Sequence, residues 1–375
     1  MQLKNSKKNN IKIFSFFSGA GFLDLGFEYS NYSIVFANEI NKDFAKAYKY
    51  SRMNMKIPFP KYGLHQEDIR IFRDENKYSA ALTSWITEER SHNIVGFIGG
   101  PPCPDFSIAG KNRGAKGSNG MLSQIYLDII CKEKPDFFLF ENVKGLWRTA
   151  KHRVFFDSLI RQAQTAGYNL AYKLVNALEY GVPQDRDRIL LFGVSNKLVS
   201  ASTMLSFNWK SPTWQPLEKI KSLPWPSRNP FRIDSKIPLP LGIPEELTVE
   251  YWFRHNDVEQ HPNSKDFFIP HAGLPKMETI EEGDDSKKSY KRLHRWRYSP
   301  TVAYGNNEVH LHPYKARRIS VAEALSLQSL PKSYILPKNM SLSAKFKTIG
   351  NGVPFILAKS VAKLIKSFLD KECHQ

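Results

Sequence analysis

Cys103 stands in the run Gly99-Gly100-Pro101-Pro102-Cys103-Pro104-Asp105-Phe106-Ser107, directly after the apolar stretch Ile94 to Ile98. A single cysteine is most often a small buried hydrophobe. Here the preceding Gly-Gly-Pro-Pro describes a rigid, open loop rather than a core position. In open α/β sheets ligands bind outside the carboxyl ends of strands, so a strand over 94–98 would deliver Cys103 to that edge as a nucleophile. A second group follows the same logic. The β-rich run Asp136 to Phe140 ends in Glu141-Asn142-Val143, which places a carboxyl group at the same edge. In Gln184-Asp185-Arg186-Asp187-Arg188 the alternation puts Gln184, Arg186 and Arg188 on one side as hydrogen-bond donors. An exposed ladder of arginine with Asp185 and Asp187 is the plainer use of that segment. The other cysteines, Cys131 and Cys373, are distant, and no Cys-x-x-Cys pair is present. We therefore expect neither a disulfide framework nor a metal site.

A small ligand is indicated at the first strand. Phe16-Phe17-Ser18-Gly19-Ala20-Gly21 follows the β-rich Ile11 to Phe17 and precedes a helical pattern. Gly19 and Gly21 would let the backbone approach a cofactor. The dinucleotide pattern Gly-x-Gly-x-x-Gly fails, because position 24 is Asp24. Glu39 follows at the spacing of an acid that holds ribose hydroxyls, and Asp68 sits where a third strand would end. As an ordered set, the glycines and two acids favour an adenosine-containing cofactor without a diphosphate.

The elements that must position these residues alternate through residues 12–194. Strands are expected near 11–17, 33–38, 94–98, 137–140, 170–175 and 189–194, with amphipathic helices such as 124–132 and 153–166 between them. The fold class expected is α/β, a Rossmann-like doubly wound domain over residues 1–195. From 196 to 315 the texture changes, since 13 of the 23 prolines and five of the seven tryptophans fall there. That interval reads as a smaller domain rich in loops and short strands. Residues 316–375 return to helical patterning at 321–328 and 355–369, and are expected to pack back on the first domain.

The chain has 375 residues, and 54 Lys and Arg against 36 Asp and Glu leave a net charge of +18. Polyanions are the natural partners of such a surface. No apolar run is long enough for a membrane span and no secretory signal is visible, so a soluble, cytoplasmic protein is expected.

The order of these segments resembles that of the DNA (cytosine-5) methyltransferases, especially the bacterial restriction-modification type. The resemblance rests on Phe16 to Gly21, Glu39, Asp68, Pro101-Pro102-Cys103, Glu141-Asn142-Val143, Gln184-x-Arg186-x-Arg188, the segment 318–331 with Glu323 and Gln328, and Gly350-Asn351-Gly352-Val353-Pro354. It covers nearly the whole chain and implies that 196–315 is a target-recognition domain. Ser15, Phe22 and Pro104 depart from the usual pattern of Asp, Gly and Gln, and none of these removes a reacting group.

By this resemblance the cofactor is S-adenosylmethionine, held by Phe17, Ser18, Gly19, Ala20, Gly21, Glu39, Asp68, Ile69, Pro101 and Asn351. Cys103, Glu141, Arg186 and Arg188 would be catalytic. The thiolate of Cys103 would attack carbon 6 of a flipped-out cytosine in duplex DNA, while Glu141 holds ring nitrogen 3. Gln184 and the basic, aromatic-interleaved stretch 287–298 are candidate DNA contacts, through Lys287, Lys288, Lys291, Arg292, Arg295 and Arg297. The resemblance further implies a monomer associated with the nucleoid through DNA and paired with a restriction endonuclease. Two rivals remain: an RNA (tRNA) cytosine-5 methyltransferase, and a catalytically silent nucleic-acid-binding protein. A nicotinamide oxidoreductase is disfavoured by the missing third glycine.

Overall fold

The computed structural model describes residues 10–102, 120–287, 289–302, 304 and 309–372. Cys103 and Lys288 lie outside the described residues. Seven strands, β1 (Ile11–Phe16), β2 (Ser33–Asn38), β3 (Leu64–His65), β4 (Ile94–Gly99), β5 (Phe137–Val143), β6 (Tyr168–Asn176) and β7 (Asp187–Ser195), form one sheet. Their order is β3-β2-β1-β4-β5-β7-β6. Pairing is parallel from β3 to β5, whereas β7 runs antiparallel to both β5 and β6. The six strands read from sequence are all present. The seventh, β3, has only two residues, too few to carry a periodic signal.

The helices of the first half are α1 (Phe22–Glu28), α2 (Lys42–Met55), α3 (Arg70–Arg73), α4 (Lys77–Arg90), α5 (Gly120–Glu133), α6 (Gly145–Arg148) and α7 (Ala150–Thr165). Those that follow are α8 (Ala201–Met204), α9 (Leu217–Lys221), α10 (Val249–His255), α11 (Leu274–Glu278), α12 (Val321–Leu327), α13 (Leu342–Asn351) and α14 (Phe355–Glu372). Local chemistry sets several starts. Asn41 accepts from the N–H groups of Asp43 and Phe44 at the head of α2, and Ser320 and Glu323 close a capping box on α12.

Apolar side chains on the two sheet faces meet different helices. Phe14, Phe16 and Phe97 pack with Leu82 of α4, Ile125 and Ile129 of α5 and Phe156 of α7. Ile11, Ile13, Phe137 and Phe192 pack with Phe27 of α1 and Leu357, Val361 and Ile365 of α14. Large rings of β5 lie over glycines of its neighbours. A methyl group on Gly96 would come within 2.2 Å of the Phe137 ring, and one on Gly193 within 2.2 Å of Phe138.

Among the described residues of 196–315, loops dominate and strand pairing is confined to isolated bridges, such as Asn229 with Glu282 and Arg292 with Leu311. The α-helices there are the short α8 to α11. Frequent proline removes the donors that a ladder needs, so pairing stops after one bridge. A third core cluster joins Val249, Phe253, Leu293 and Val302 of this interval to α12 and α13, and also to Ala20, Phe22 and Leu25. Among the described residues, no helix is long and apolar enough to cross a membrane.

Helix α14 lies so close to α1 that a methyl group on Gly26 would approach Ala358 Cβ to 2.5 Å and its carbonyl carbon to 2.6 Å. Gly26→Leu should therefore lower the unfolding free energy by roughly 1–3 kcal/mol, the usual cost of overpacking. Urea titration measures this, and an unchanged midpoint would mean that the two helices do not interlock.

Candidate active site

Strand order reverses between β1 and β4, which opens a crevice beyond their carboxyl ends. Phe16 is in register with Gly99, and Gly99 with Phe140. The glycine turn after β1, the loop after β4 and Glu141 therefore leave the sheet at one level.

The glycine turn is backbone-driven. Phe17, Gly19 and Gly21 all have positive φ, at 52°, 56° and 82°. Ser18 N–H donates to Asn38 O at 3.0 Å, and Gly21 N–H returns to Ser18 O at 2.8 Å. Glu39, at the tip of β2, accepts from Gly19 N at 2.9 Å and from Asn41 N at 2.7 Å. Burial raises the Glu39 carboxyl above its ordinary pKa, against those two donors. A methyl group added to Gly19 would meet nothing within 4 Å, so open space lies against the turn beside this acid.

Support for the turn comes from below. Tyr334 donates its hydroxyl to Ala20 O at 2.7 Å. Asp24 is fully buried and accepts from Ser15 Oγ at 2.6 Å and from Tyr48 OH at 3.0 Å. Ser15, one of the departures from the family pattern, thus anchors α1. Arg52 sits beneath Gly21 and is engaged by Glu28 at 2.7 Å. The turn therefore offers acids and amides to a ligand, while its nearby cation is already paired. That donor set suits a ribose and an amino group rather than a phosphate.

Asn38 reaches from β2 to His65 O and Glu67 O at 3.1 and 2.8 Å, shaping the turn that carries Asp68. The Asp68 carboxylate accepts from Arg70 N at 2.9 Å and Arg70 Nη1 at 2.6 Å. Ile69 is buried in the core beneath that turn. Pro101 O accepts from Asn142 Nδ2 at 3.2 Å, which ties the loop after β4 to the end of β5. Asn351 is the exposed last residue of α13.

At the end of β5, Glu141 Oε1 lies 2.6 Å from Arg188 Nε, with both side chains 10% exposed. Arg188 reaches it diagonally, because β7 pairs Leu190 with Glu141 and Arg188 with Val143. A methyl group on Gly100 would come within 2.7 Å of Glu141 Oε2, so only glycine lets the loop pass this carboxylate. Among cysteines, Cys131 of α5 is half-buried and burial pushes its thiol up to about 11. It is no nucleophile.

Several sequence expectations need correction. Arg186 is 2% exposed and donates to Val302 O at 2.8 Å, Gly350 O at 2.9 Å and Gly352 O at 3.0 Å. Its Nη1 also donates to Gln184 Oε1 at 3.3 Å, while its Nε has no partner, so the guanidinium clamps this junction through its two terminal nitrogens. Gln184 is completely buried, accepts from Val302 N at 3.0 Å and donates to Leu327 O at 3.2 Å. It holds the same junction and cannot reach DNA. Arg292 and Arg295, at 1% and 4% exposure, are likewise internal. Arg292 donates to Met277, Ile280 and His312 carbonyls, and Arg295 is forked onto Glu282. Lys287 is exposed, Lys291 is half-buried, and Arg297 is half-buried 4.0 Å from Asp285. Sequence reasoning missed Tyr334, whose partner is a backbone carbonyl 314 positions away and leaves no local signal.

The chain matches the C-5 cytosine-specific DNA methylase family over residues 11–367. It belongs to that family. It is 56% identical to the Type II methyltransferase M.NmeDI of Neisseria meningitidis serogroup C, over 99% of this chain and 86% of the relative. It is 30% identical to the Type II methyltransferase M.FnuDI of Fusobacterium nucleatum, over 96% of each. The fold is shared with a crystal structure of a putative prophage-encoded DNA modification methyltransferase from E. coli. That match has a TM-score of 0.65 and 21% identity, over 96% of this chain and 100% of that one. The DNMT2 of Spodoptera frugiperda aligns with a TM-score of 0.58 at 18% identity, over 96% and 100%.

The methyl donor of C-5 cytosine methylases is S-adenosylmethionine, and the open acid-lined turn at Gly19 is consistent with it. Glu39→Gln removes a charged acceptor at that turn and should weaken S-adenosylmethionine binding about tenfold or more. Titration calorimetry reads this, and unaltered affinity would remove Glu39 from the cofactor site.

Proposed function

We propose that this methyltransferase modifies carbon 5 of a cytosine extruded from a specific duplex DNA sequence, through a covalent adduct of Cys103. The observation that carries the reading is the Glu141–Arg188 pair at the carboxyl edge of β5. It stands beside a loop that Asn142 holds through Pro101, two residues before Cys103.

Residue roles follow from chemistry at that edge. The ordinary thiol pKa of about 8.5 leaves little Cys103 thiolate at neutral pH, so a nearby positive charge such as Arg188 is needed. The thiolate adds to carbon 6 of the ring, and the electron pair displaced onto carbon 5 makes that atom nucleophilic. Glu141 holds nitrogen 3 and shares a proton with it, which offsets the negative charge entering the ring. Carbon 5 accepts the methyl group; its proton then leaves to a base, and the carbon–sulfur bond breaks to restore the thiolate. Phe17 to Gly21, Glu39, Asp68, Ile69, Pro101 and Asn351 would hold S-adenosylmethionine, which would supply the methyl group and keep the electron pair of the broken sulfonium bond on its sulfur. Extruding the cytosine costs a few kcal/mol, which DNA contacts must offset.

We assign target recognition to residues 196–315, with the catalytic unit in 1–195 and 316–375. Exposed Lys287, with Lys291 and Arg297, remains available for phosphate. The 56% identity to a Type II methyltransferase supports a role beside a cognate endonuclease, protecting bacterial DNA from it. We further propose that the enzyme works as a monomer in the cytoplasm, bound to the nucleoid through DNA.

Methyl-labelled S-adenosylmethionine incubated with mixed-sequence duplex DNA, or with bulk tRNA, should place label on carbon 5 of DNA cytosine. Label confined to tRNA would select the RNA enzyme instead. Cys103→Ala should abolish transfer while leaving cofactor affinity near normal, and retained turnover would remove Cys103 from the reaction. DNA affinity should fall steeply with added salt, given the +18 charge.

A further inference from the structure

A buried charge cluster lies under the glycine turn, outside the reaction proposed above. Arg52, in the last turn of α2, faces two carboxylates of α1: Glu28 Oε1 at 2.7 Å and Asp24 Oδ2 at 3.9 Å. Arg52 and Asp24 are buried, and the Glu28 side chain is only 13% exposed. The two acids are served differently. Asp24 also accepts from the hydroxyls of Ser15 and Tyr48, whereas Glu28 has a single donor, Arg52 Nη2. Glu28 Oε2 and Arg52 Nε have no hydrogen-bond partner among the described residues. Burial raises the Asp24 carboxyl and pushes that of Glu28 up to about 7, against the pull of Arg52.

A guanidinium binds a carboxylate most strongly when both ends of its fork meet it. Here the fork is divided. Nη2 takes Glu28, while Nη1 lies under the turn, 2.7 Å from where a β-carbon on Gly21 would stand. The guanidinium also rests on the Tyr48 ring, 3.9 Å from its centre, and that ring comes within 2.9 Å of the same position at Gly21. Residues of α2 therefore form the floor of the turn, and Asp24 and Glu28 tie that floor to the helix into which the turn leads. The turn is held a second time from the same side. Glu39, just before α2, accepts from Gly19 N at 2.9 Å. A turn fixed at Gly19 and at Gly21 needs little ordering when a ligand enters beside it.

We propose that Arg52 is a positioning residue for the methyl donor: its guanidinium, fastened by the Glu28 carboxylate, holds the glycine turn in the shape that binds S-adenosylmethionine. The proposal rests on the assignment of that turn to the cofactor. Glu28 is the adjustable end, since protonation removes the charge that strengthens its bond to Arg52. The groups facing this pair are Asp24 on α1, Tyr48 on α2 and Tyr334 between α12 and α13. Burial pushes both tyrosine hydroxyls up, so neither ionises near neutral pH.

The test titrates the full-length enzyme calorimetrically with S-adenosylmethionine at about pH 6 and about pH 8, on either side of the Glu28 value. Glu28→Gln keeps the size and a hydrogen-bond acceptor but never carries the charge. We expect it to bind as wild type does at the lower pH, where Glu28 holds its proton, and about fivefold more weakly at the higher. At saturating S-adenosylmethionine its kcat should be unchanged, so that the loss falls on KM. A carboxyl raised from 4.5 to about 7 in the folded state contributes stability below 4.5 that is lost as pH rises through about 7. At the higher pH the variant should therefore melt no lower than wild type, which separates positioning from support of the fold. Arg52→Lys keeps the charge but not the fork, and should weaken binding at both pH values. If that variant fails to fold, Glu28→Gln decides alone.

Equal affinity of Glu28→Gln and wild type at the higher pH overturns the proposal. So does an equal loss at both pH values, which would assign the effect to packing, and so does wild-type affinity in Arg52→Lys. An S-adenosylmethionine affinity that Glu39→Gln leaves intact would instead overturn the assignment of the turn to the cofactor.

Discussion

Burying the Arg186 guanidinium constrains the whole molecule. A charged group taken out of water is tolerated only where acceptors surround it. Arg186 finds them on Val302, Gly350 and Gly352, three carbonyls from segments far apart in sequence. Gln184 adds Val302 N–H and Leu327 O to the same junction. The start of β7, the end of the 196–315 interval and the α13–α14 junction must therefore meet at one point. Two residues along, Arg188 leaves that junction and reaches Glu141. The clamp thus fixes the height at which the Glu141 carboxylate finds its partner.

The same junction reaches the glycine turn by packing. A methyl group on Gly352 would come within 2.0 Å of the Phe22 ring, so the carbonyl held by Arg186 belongs to a residue pressed against the first position of α1. Phe22 stacks edge-on against Tyr334, with ring centres 5.1 Å apart, and Tyr334 in turn bonds Ala20 O. Displacing the C-terminal segment would strain both ends of the crevice. Close packing of this kind transmits displacement, because interiors have little free volume to absorb it.

Much of this was legible from residue types. Strands buried on both faces are short continuous apolar runs, whether parallel, as at Ile94 to Ile98, or antiparallel, as at Ile189 to Val194. Glu39 and Glu141 were legible because each directly follows such a run. β3 was not, since two residues carry no period. Arg292 and Arg295 were misread because charge pattern alone does not distinguish a solvated cation from one enclosed by carbonyls. The acceptors that enclose them, such as Met277 O, His312 O and the Glu282 carboxylate, come together only in the folded interval. In a segment too proline-rich for strand ladders, such guanidinium bonds replace the backbone pairing that would otherwise hold loops in place.

Glu141 illustrates how the site keeps a carboxylate in a nearly closed position. Arg188 Nε lies 2.6 Å from its carboxylate, and Lys144 Nζ lies 2.6 Å from that of Asp187, one residue earlier on β7. Glu39 accepts instead from two backbone N–H groups, and burial raises its carboxyl above the usual pKa against them. The two acids of the crevice therefore differ in kind. One is charge-paired next to the loop after β4, and the other is amide-bound against the open glycine turn. The proposed roles match this difference: proton sharing with a base falls to the ion-paired acid, and gripping of hydroxyls, which needs fixed geometry, to the amide-bound one.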